Sequence, residues 1–302
     1  MRLNSSRIFI FVFIPDRSSI KNYIVAMNKL SKEEQVRVVA CLVEGNSLRS
    51  TVRMTGIHRT TIQNLLVELG AACSAYQDKV FRGLQCKRLQ LDEIWSFVYA
   101  KDKNLPEEMR EQGNAGSVWT WVALDSETKL VPCWFVGSRD GSAAYHFIHD
   151  LQGRLANRVQ LTCDGHKPYL QAVEDAFGAD VDFATLIKIY GNAPTDNAEI
   201  RYSPAQCMGA RKTVVSGTPD HSHISTSHCE RQNLTMRMSM RRFTRLTNAF
   251  SKKLENHEAA IAMHYMHYNF ARIHQTLRCT PAMEAGVSDH VWTLEEIVNL
   301  LA

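Results

Sequence analysis

The 302 residues carry 35 Lys and Arg against 31 Asp and Glu, a net charge of +4, with 45% hydrophobic and 22% charged residues. That balance speaks against global disorder and leaves room for one large domain and a small one. The eight cysteines are scattered with no C-x-x-C pair, which argues against a zinc ribbon and a disulfide framework and fits a reducing cytosol.

Residues Arg7 to Ile14 read RIFIFVFI, an apolar run followed by Pro15, Asp16 and Arg17. Spanning a bilayer takes about 20 residues, and no small-residue cleavage site follows the run. The expectation is a start at Met27, with residues 1–27 an unstructured or spurious extension. No later segment reads as transmembrane, so no membrane partner and a cytoplasmic location are expected.

Residues 28–72 read as a small all-α domain. Ser31 followed by Glu34 forms a capping box, and Val36, Val38, Val39, Leu42 and Val43 recur at helical spacing. Leu48 to Met54 predicts a second short helix, Thr55-Gly56-Ile57 a tight turn, and His58 to Leu69 a third helix with Ile62, Leu65, Leu66 and Leu69 inward. Three short helices with a glycine turn before the last match a helix-turn-helix. The outward residues His58, Arg59, Thr60, Gln63 and Asn64 can hydrogen-bond phosphates or base edges. The other reading is a small helical cap that touches no DNA.

Residues 84–270 change pattern. Leu89 to Tyr99, Val118 to Leu124 and Leu130 to Val136 read as a three-stranded meander. A helix over Ser142 to Leu155, a short strand over Val159 to Cys163, a helix over Lys167 to Phe177 and a strand over Ala184 to Tyr190 follow. This order suits an α/β fold with an RNase-H-like mixed sheet. Residues 191–227 are polar and aperiodic and predict a long loop or insertion. Glu230 to Tyr268 predicts helix, and 271–302 a C-terminal helical tail.

Asp92 lies in the first strand and Asp164 directly after VQLTC. The proposed topology sets those strands side by side, so the two carboxylates can share a metal ion. Glu230 opens a helix with Asn233 and Arg237 on its face at i+3 and i+7. A lone Asp at a strand end is more commonly a cap or an ion-pair partner; it is the constellation that suggests catalysis. Phosphodiester cleavage and strand transfer develop charge on attacking and leaving oxygens, which two Mg²⁺ ions about 4 Å apart can stabilise. Mn²⁺ is a substitute. Between Glu230 and Lys253 seven cations face one anion, among them Arg241, Arg242 and Arg245, which suits phosphate contact.

The stretch Leu91-Asp92-Glu93-Ile94-Trp95-Ser96-Phe97-Val98 resembles the first-acid motif of insertion-sequence-one family transposases. Asp164-Gly165 with Tyr169 resembles the second, and His228-Cys229-Glu230-Arg231-Gln232-Asn233-Leu234 with Arg237 the third. Arg272, His274, Leu277, Thr280-Pro281-Ala282 and Ala285-Gly286 resemble the tail of acidic-triad transposases. The resemblance spans residues 30 to 287. It implies that Asp92, Asp164 and Glu230 are the catalytic metal-binding triad, and that Asn233 and Arg237 orient Glu230 or hold a phosphate. It further implies a transposase that cuts and joins DNA at terminal inverted repeats, acts as a homo-oligomer on paired ends and works at the bacterial nucleoid. Many relatives carry an N-terminal cysteine zinc finger; here Cys41 and Cys73 lack close partners. Two further readings stay open: an RNase-H-like nuclease without transposition, and a DNA-binding regulator derived from a transposase.

Overall fold

The computed structural model describes residues 29–111, 114–191, 207–244 and 248–302. The expected extension over residues 1–27 therefore lies outside the described residues, as does Arg245.

Three helices come first: α1 (Lys32–Val43), α2 (Leu48–Thr55) and α3 (Arg59–Val80). The capping box forms as the sequence indicates, with the Ser31 amide donating to Glu34 Oε2 at 2.9 Å and the Glu34 amide to Ser31 Oγ at 3.2 Å. Gly56 ends α2 at φ 75°, a left-handed conformation open to glycine without a side-chain clash. Val38, Ile57, Ile62 and Leu65 form a small core of their own.

α3 does not stop at Leu69 but runs on to Val80. Gly70 explains how. A Cβ there would sit 2.5 Å from Ala259 Cα, so the bare backbone lets α3 press onto α7 (Leu254–Met266). Past the crossing, Gln77 donates to the Ala262 carbonyl at 3.2 Å. Glycine is a poor helix former in a helix interior; here tertiary packing uses Gly70 as a contact.

The second layer is a six-stranded sheet in the order β3-β2-β1-β4-β5-β6. Its strands are β1 (Arg88–Val98), β2 (Gly116–Asp125), β3 (Cys133–Gly137), β4 (Val159–Cys163), β5 (Val181–Tyr190) and β6 (Cys207–Ser216). β1, β2 and β3 form the antiparallel meander, β4 and β5 join β1 in parallel, and β6 returns antiparallel to β5. Helices α4 (Gly141–Gln152) and α5 (Pro168–Phe177) supply the crossovers. This mixed α/β sheet is consistent with the RNase-H-like expectation.

Two expectations need correction. The stretch 191–227 was expected to lack regular structure, yet it contains β6, which was missed because every residue from Cys207 to Val215 is exposed and its ladder needs only backbone bonds to β5. Nor is Glu230 to Tyr268 one helix. α6 (Ser227–Ser239) ends before a 3₁₀ turn at Arg241–Phe243, and the next helix among the described residues starts at Leu254. Of the described basic residues between them, Arg242 donates to Ser251 Oγ.

The main core lies between the sheet and its helices. Trp121, Phe147, Tyr169 and Leu89 are fully buried, with Trp121 edge-on to Tyr169 at 5.3 Å between ring centres. Burying such side chains is worth roughly 1.5–3 kcal/mol each. Leu66 and Leu69 of α3 join this same core, which ties the first helices to the sheet. Among the described residues no helix is long and apolar enough to cross a membrane.

Candidate acidic site

The β1–β4 register sets the geometry. Arg88 pairs with Gln160, Leu89 with Leu161 and Gln90 with Thr162, an offset of 72 residues. Carried two residues past the ladder, the same offset sets Asp92 level with Asp164. A ligand oxygen from each of Asp92, Glu93 and Asp164 lies within 4.8 Å of the others. Successive strand residues face opposite sides of a sheet, so Asp92 and Glu93 reach Asp164 from two directions. Asp92 turns toward α6, where Asn233 Nδ2 donates to its Oδ2 at 2.9 Å. Glu93 turns toward Arg139, whose Nε donates to Glu93 Oε2 at 3.0 Å. Asp164 accepts the His166 amide on Oδ1 at 2.8 Å, and Arg139 Nη2 stands 3.8 Å from its Oδ2. Beside it, Gly165 leaves room for Ile187, which a Cβ would meet at 2.9 Å.

Crowded acids out of water resist ionisation. Burial, then the neighbouring Glu93, push Asp92 up to about 7, and Asp164 and Glu230 add to the effect. Burial also raises Glu93, partly offset by the Tyr169 hydroxyl and the Arg139 guanidinium. A cation brought among these groups would relieve that cost. Clustered carboxylate oxygens are the donors that Mg²⁺ and Mn²⁺ take, so the residues present fit such an ion.

Glu230 stands apart from this cluster of three. It sits in the first turn of α6, where Thr226 Oγ1 donates to its Oε1 at 2.7 Å. Both its oxygens accept from Lys188 Nζ, the one at Oε1 at 2.6 Å. Burial alone would depress Lys188, but the Glu230 carboxylate holds it above its ordinary value.

The start of α6 is anchored by a residue the sequence reading passed over. Gln90 is buried on β1, and its Oε1 accepts the amides of His228 at 2.8 Å and Cys229 at 3.1 Å. It thereby caps the helix from the neighbouring sheet. The available signal was its position two residues before Asp92 on the same strand face. Glu93, Arg139 and Lys188 were also not singled out. Asn233 was expected to orient Glu230 or hold phosphate; here its amide bonds Asp92. Arg237 donates to the Phe243 carbonyl at 3.5 Å.

Of the other expected contact residues, His58 caps α3, its Nδ1 accepting the Thr60 amide at 3.3 Å. Thr60 and Asn64 are exposed. Arg59, exposed, and Gln63, half-buried, line a cavity together with Arg241 and Arg242, far along the chain.

No protein-family model matches the chain. No curated protein matches it either. Among solved structures, one similar chain is a piggyBac transposase in a synaptic complex with hairpin DNA, at 11% identity, covering 93% of this chain and 74% of that one, with a TM-score of 0.35. A likeness that slight bears on neither fold nor activity.

Proposed function

We propose that the chain is a DNA transposase of the acidic-triad type, akin to the insertion-sequence-one family. It binds the terminal inverted repeats of an insertion sequence and catalyses metal-dependent strand cleavage and strand transfer. Asp92, Asp164 and Glu230 are the proposed holders of two Mg²⁺ ions, with Mn²⁺ as a substitute. DNA ends and target DNA are the partners, and the chain works as a homo-oligomer on paired ends, at the bacterial nucleoid.

The observation that carries the reading is the meeting of Asp92, within β1, and Asp164, just past the end of the adjacent parallel β4, with Asn233 of the Glu230 helix bonded to Asp92. Glu93 is a fourth carboxylate at hand. Bound divalent ions would supply Lewis-acid stabilisation of attacking and leaving oxygens. The chain's own part is to hold the oxygens in place. β1 and β4 fix Asp92 and Asp164, while Gln90 and Asn233 fasten α6 against β1. Arg139 balances charge between Glu93 and Asp164. His58, Arg59, Thr60, Gln63, Asn64, Arg237, Arg241, Arg242 and Arg245 are the proposed DNA contacts.

The test is cleavage and joining of a labelled duplex bearing the element's own ends in Mg²⁺, with wild type beside Asp164→Asn. The expected result is nicking and joining by the wild type, and binding without either by the variant. The ion pair between Lys188 and Glu230 favours a second reading, a DNA-binding regulator whose acids serve the fold. Binding by both proteins with no cutting in Mg²⁺ or Mn²⁺ would establish that one instead.

A further inference from the structure

A cavity of about 720 Å³ opens between the first three helices, the segment that follows α6, and α7. It shares no residue with the acidic cluster. Among the described residues its wall holds five cations, Arg49, Arg59, Arg241, Arg242 and Lys252, and no carboxylate. None of the five forms an ion pair with a carboxylate among the described residues. Arg242 Nη1 instead donates to Ser251 Oγ at 2.7 Å, and Lys252 Nζ lies over the Phe250 ring at 4.1 Å. His264, 6% exposed on the cavity floor, has an Nε2 with no hydrogen-bond partner among the described residues.

Like charges gathered round one cavity raise each other's energy, and a polyanion lowers it. The volume matches a pocket for one small ligand. A duplex, whose major groove alone is about 12 Å wide, does not enter such a space. A separated strand does, with phosphates toward the guanidinium groups.

We propose that this cleft binds single-stranded DNA, as a backbone site separate from the carboxylates. The choice of DNA over another polyanion rests on the function proposed above. The wall of the cleft hangs on the strand that carries Asp92. The Tyr99 amide, one residue past β1, donates to the Ser251 carbonyl at 2.8 Å, and His257 bridges Ser251 Oγ and Ser96 Oγ at 3.0 Å each. A strand lying in the cleft is therefore held at a fixed position relative to β1. Arg59 and Gln63, which as a free helix face would read a major groove, here serve a strand.

The experiment is fluorescence anisotropy of a short labelled oligothymidylate with the full chain in EDTA, against a duplex of equal length. The variant is Arg49→Ala/Arg59→Ala, both exposed positions whose loss leaves the core intact, with the fold checked by circular dichroism. The single strand should bind more tightly than the duplex. The variant should lose about tenfold in affinity, and its log-affinity against log-salt slope should be shallower by about 1.4, at about 0.7 per phosphate contact on a single strand. Unchanged affinity in the Arg variant, or a duplex bound as tightly and weakened equally, overturns the proposal. Strand binding here, together with no cutting in the separate Mg²⁺ and Mn²⁺ cleavage assay, leaves the cleft standing and removes the transposase reading; cutting in that assay with no loss of strand binding in the Arg variant does the reverse.

Discussion

Gln90 shows how much one side chain can position. A single amide oxygen accepts both free amides at the start of α6, the helix that carries Glu230 and Asn233. Replacing it with Ala strips two N–H groups, the Cys229 one buried, of their acceptor. Gln90→Ala should cost about 1–3 kcal/mol in urea unfolding. It should also reduce cutting more than it reduces DNA binding, because α6 loses its fastening beside Asp92. Lys188 acts in the opposite sense, as a resident cation on Glu230. Lys188→Met removes both a competitor for that carboxylate and a positive charge from the acidic region. Titration calorimetry should then show Mn²⁺ binding several-fold more tightly than to wild type; equal or weaker binding would mean that Glu230 takes no part in holding the ion.

Among the elements, the α3–α7 crossing depends on the absence of a side chain. A Cβ added at Gly70 would meet Ala259 backbone and Cβ atoms at about 2.5 Å, and a rigid helix cannot yield there as a flexible side chain would. Gly70→Val should destabilise the fold by at least the roughly 1–3 kcal/mol typical of overpacked cores. Gly56→Ala meets open space but must take φ 75°, so its smaller cost arises from backbone strain alone. Denaturant midpoints of the two variants separate these origins. If Gly70→Val proves neutral, α3 and α7 do not pack as described.

On the scale of the whole molecule, acid sensitivity follows from two histidines sealed in the interior. Burial pushes His257 and His264 down to about 3, from an ordinary value near 6.5. Above pH 6.5 both are neutral folded or unfolded and add no pH dependence. Between pH 6.5 and 3 the unfolded chain takes up protons that the folded one refuses, so stability falls as pH falls. Each group contributes up to about 1.4 kcal/mol per pH unit across that window. Melting temperature should drop steadily below pH 6.5, and His257→Asn should flatten the drop while lowering stability near neutrality. Asp92, raised to about 7 in the fold, takes up its proton before the unfolded chain does and offsets one histidine over the same window, so the check is the difference between the two proteins: a His257→Asn slope equal to that of the wild type would rule out His257 as a cause.

Elements whose pattern reports burial were legible without coordinates. The meander, β4, the crossover helices and the Ser31 capping box all bury one face or close a local hydrogen-bond ring, and both leave periodic or short-range marks in the chain. Asp92 and Asp164 could be singled out for the same reason, since one lies within a readable strand and the other directly follows one. β6 carried no such mark, because it is held by backbone bonds while its side chains face water. The continuation of α3 past Gly70 depended on a partner helix nearly two hundred residues away in sequence. Only the fold could decide that Lys188 holds Glu230, that Gln90 caps α6, and that Arg59 faces Arg241 across a cavity. These pairings join residues from separate elements, and their distances are set by sheet register and helix packing, which no local stretch of sequence encodes.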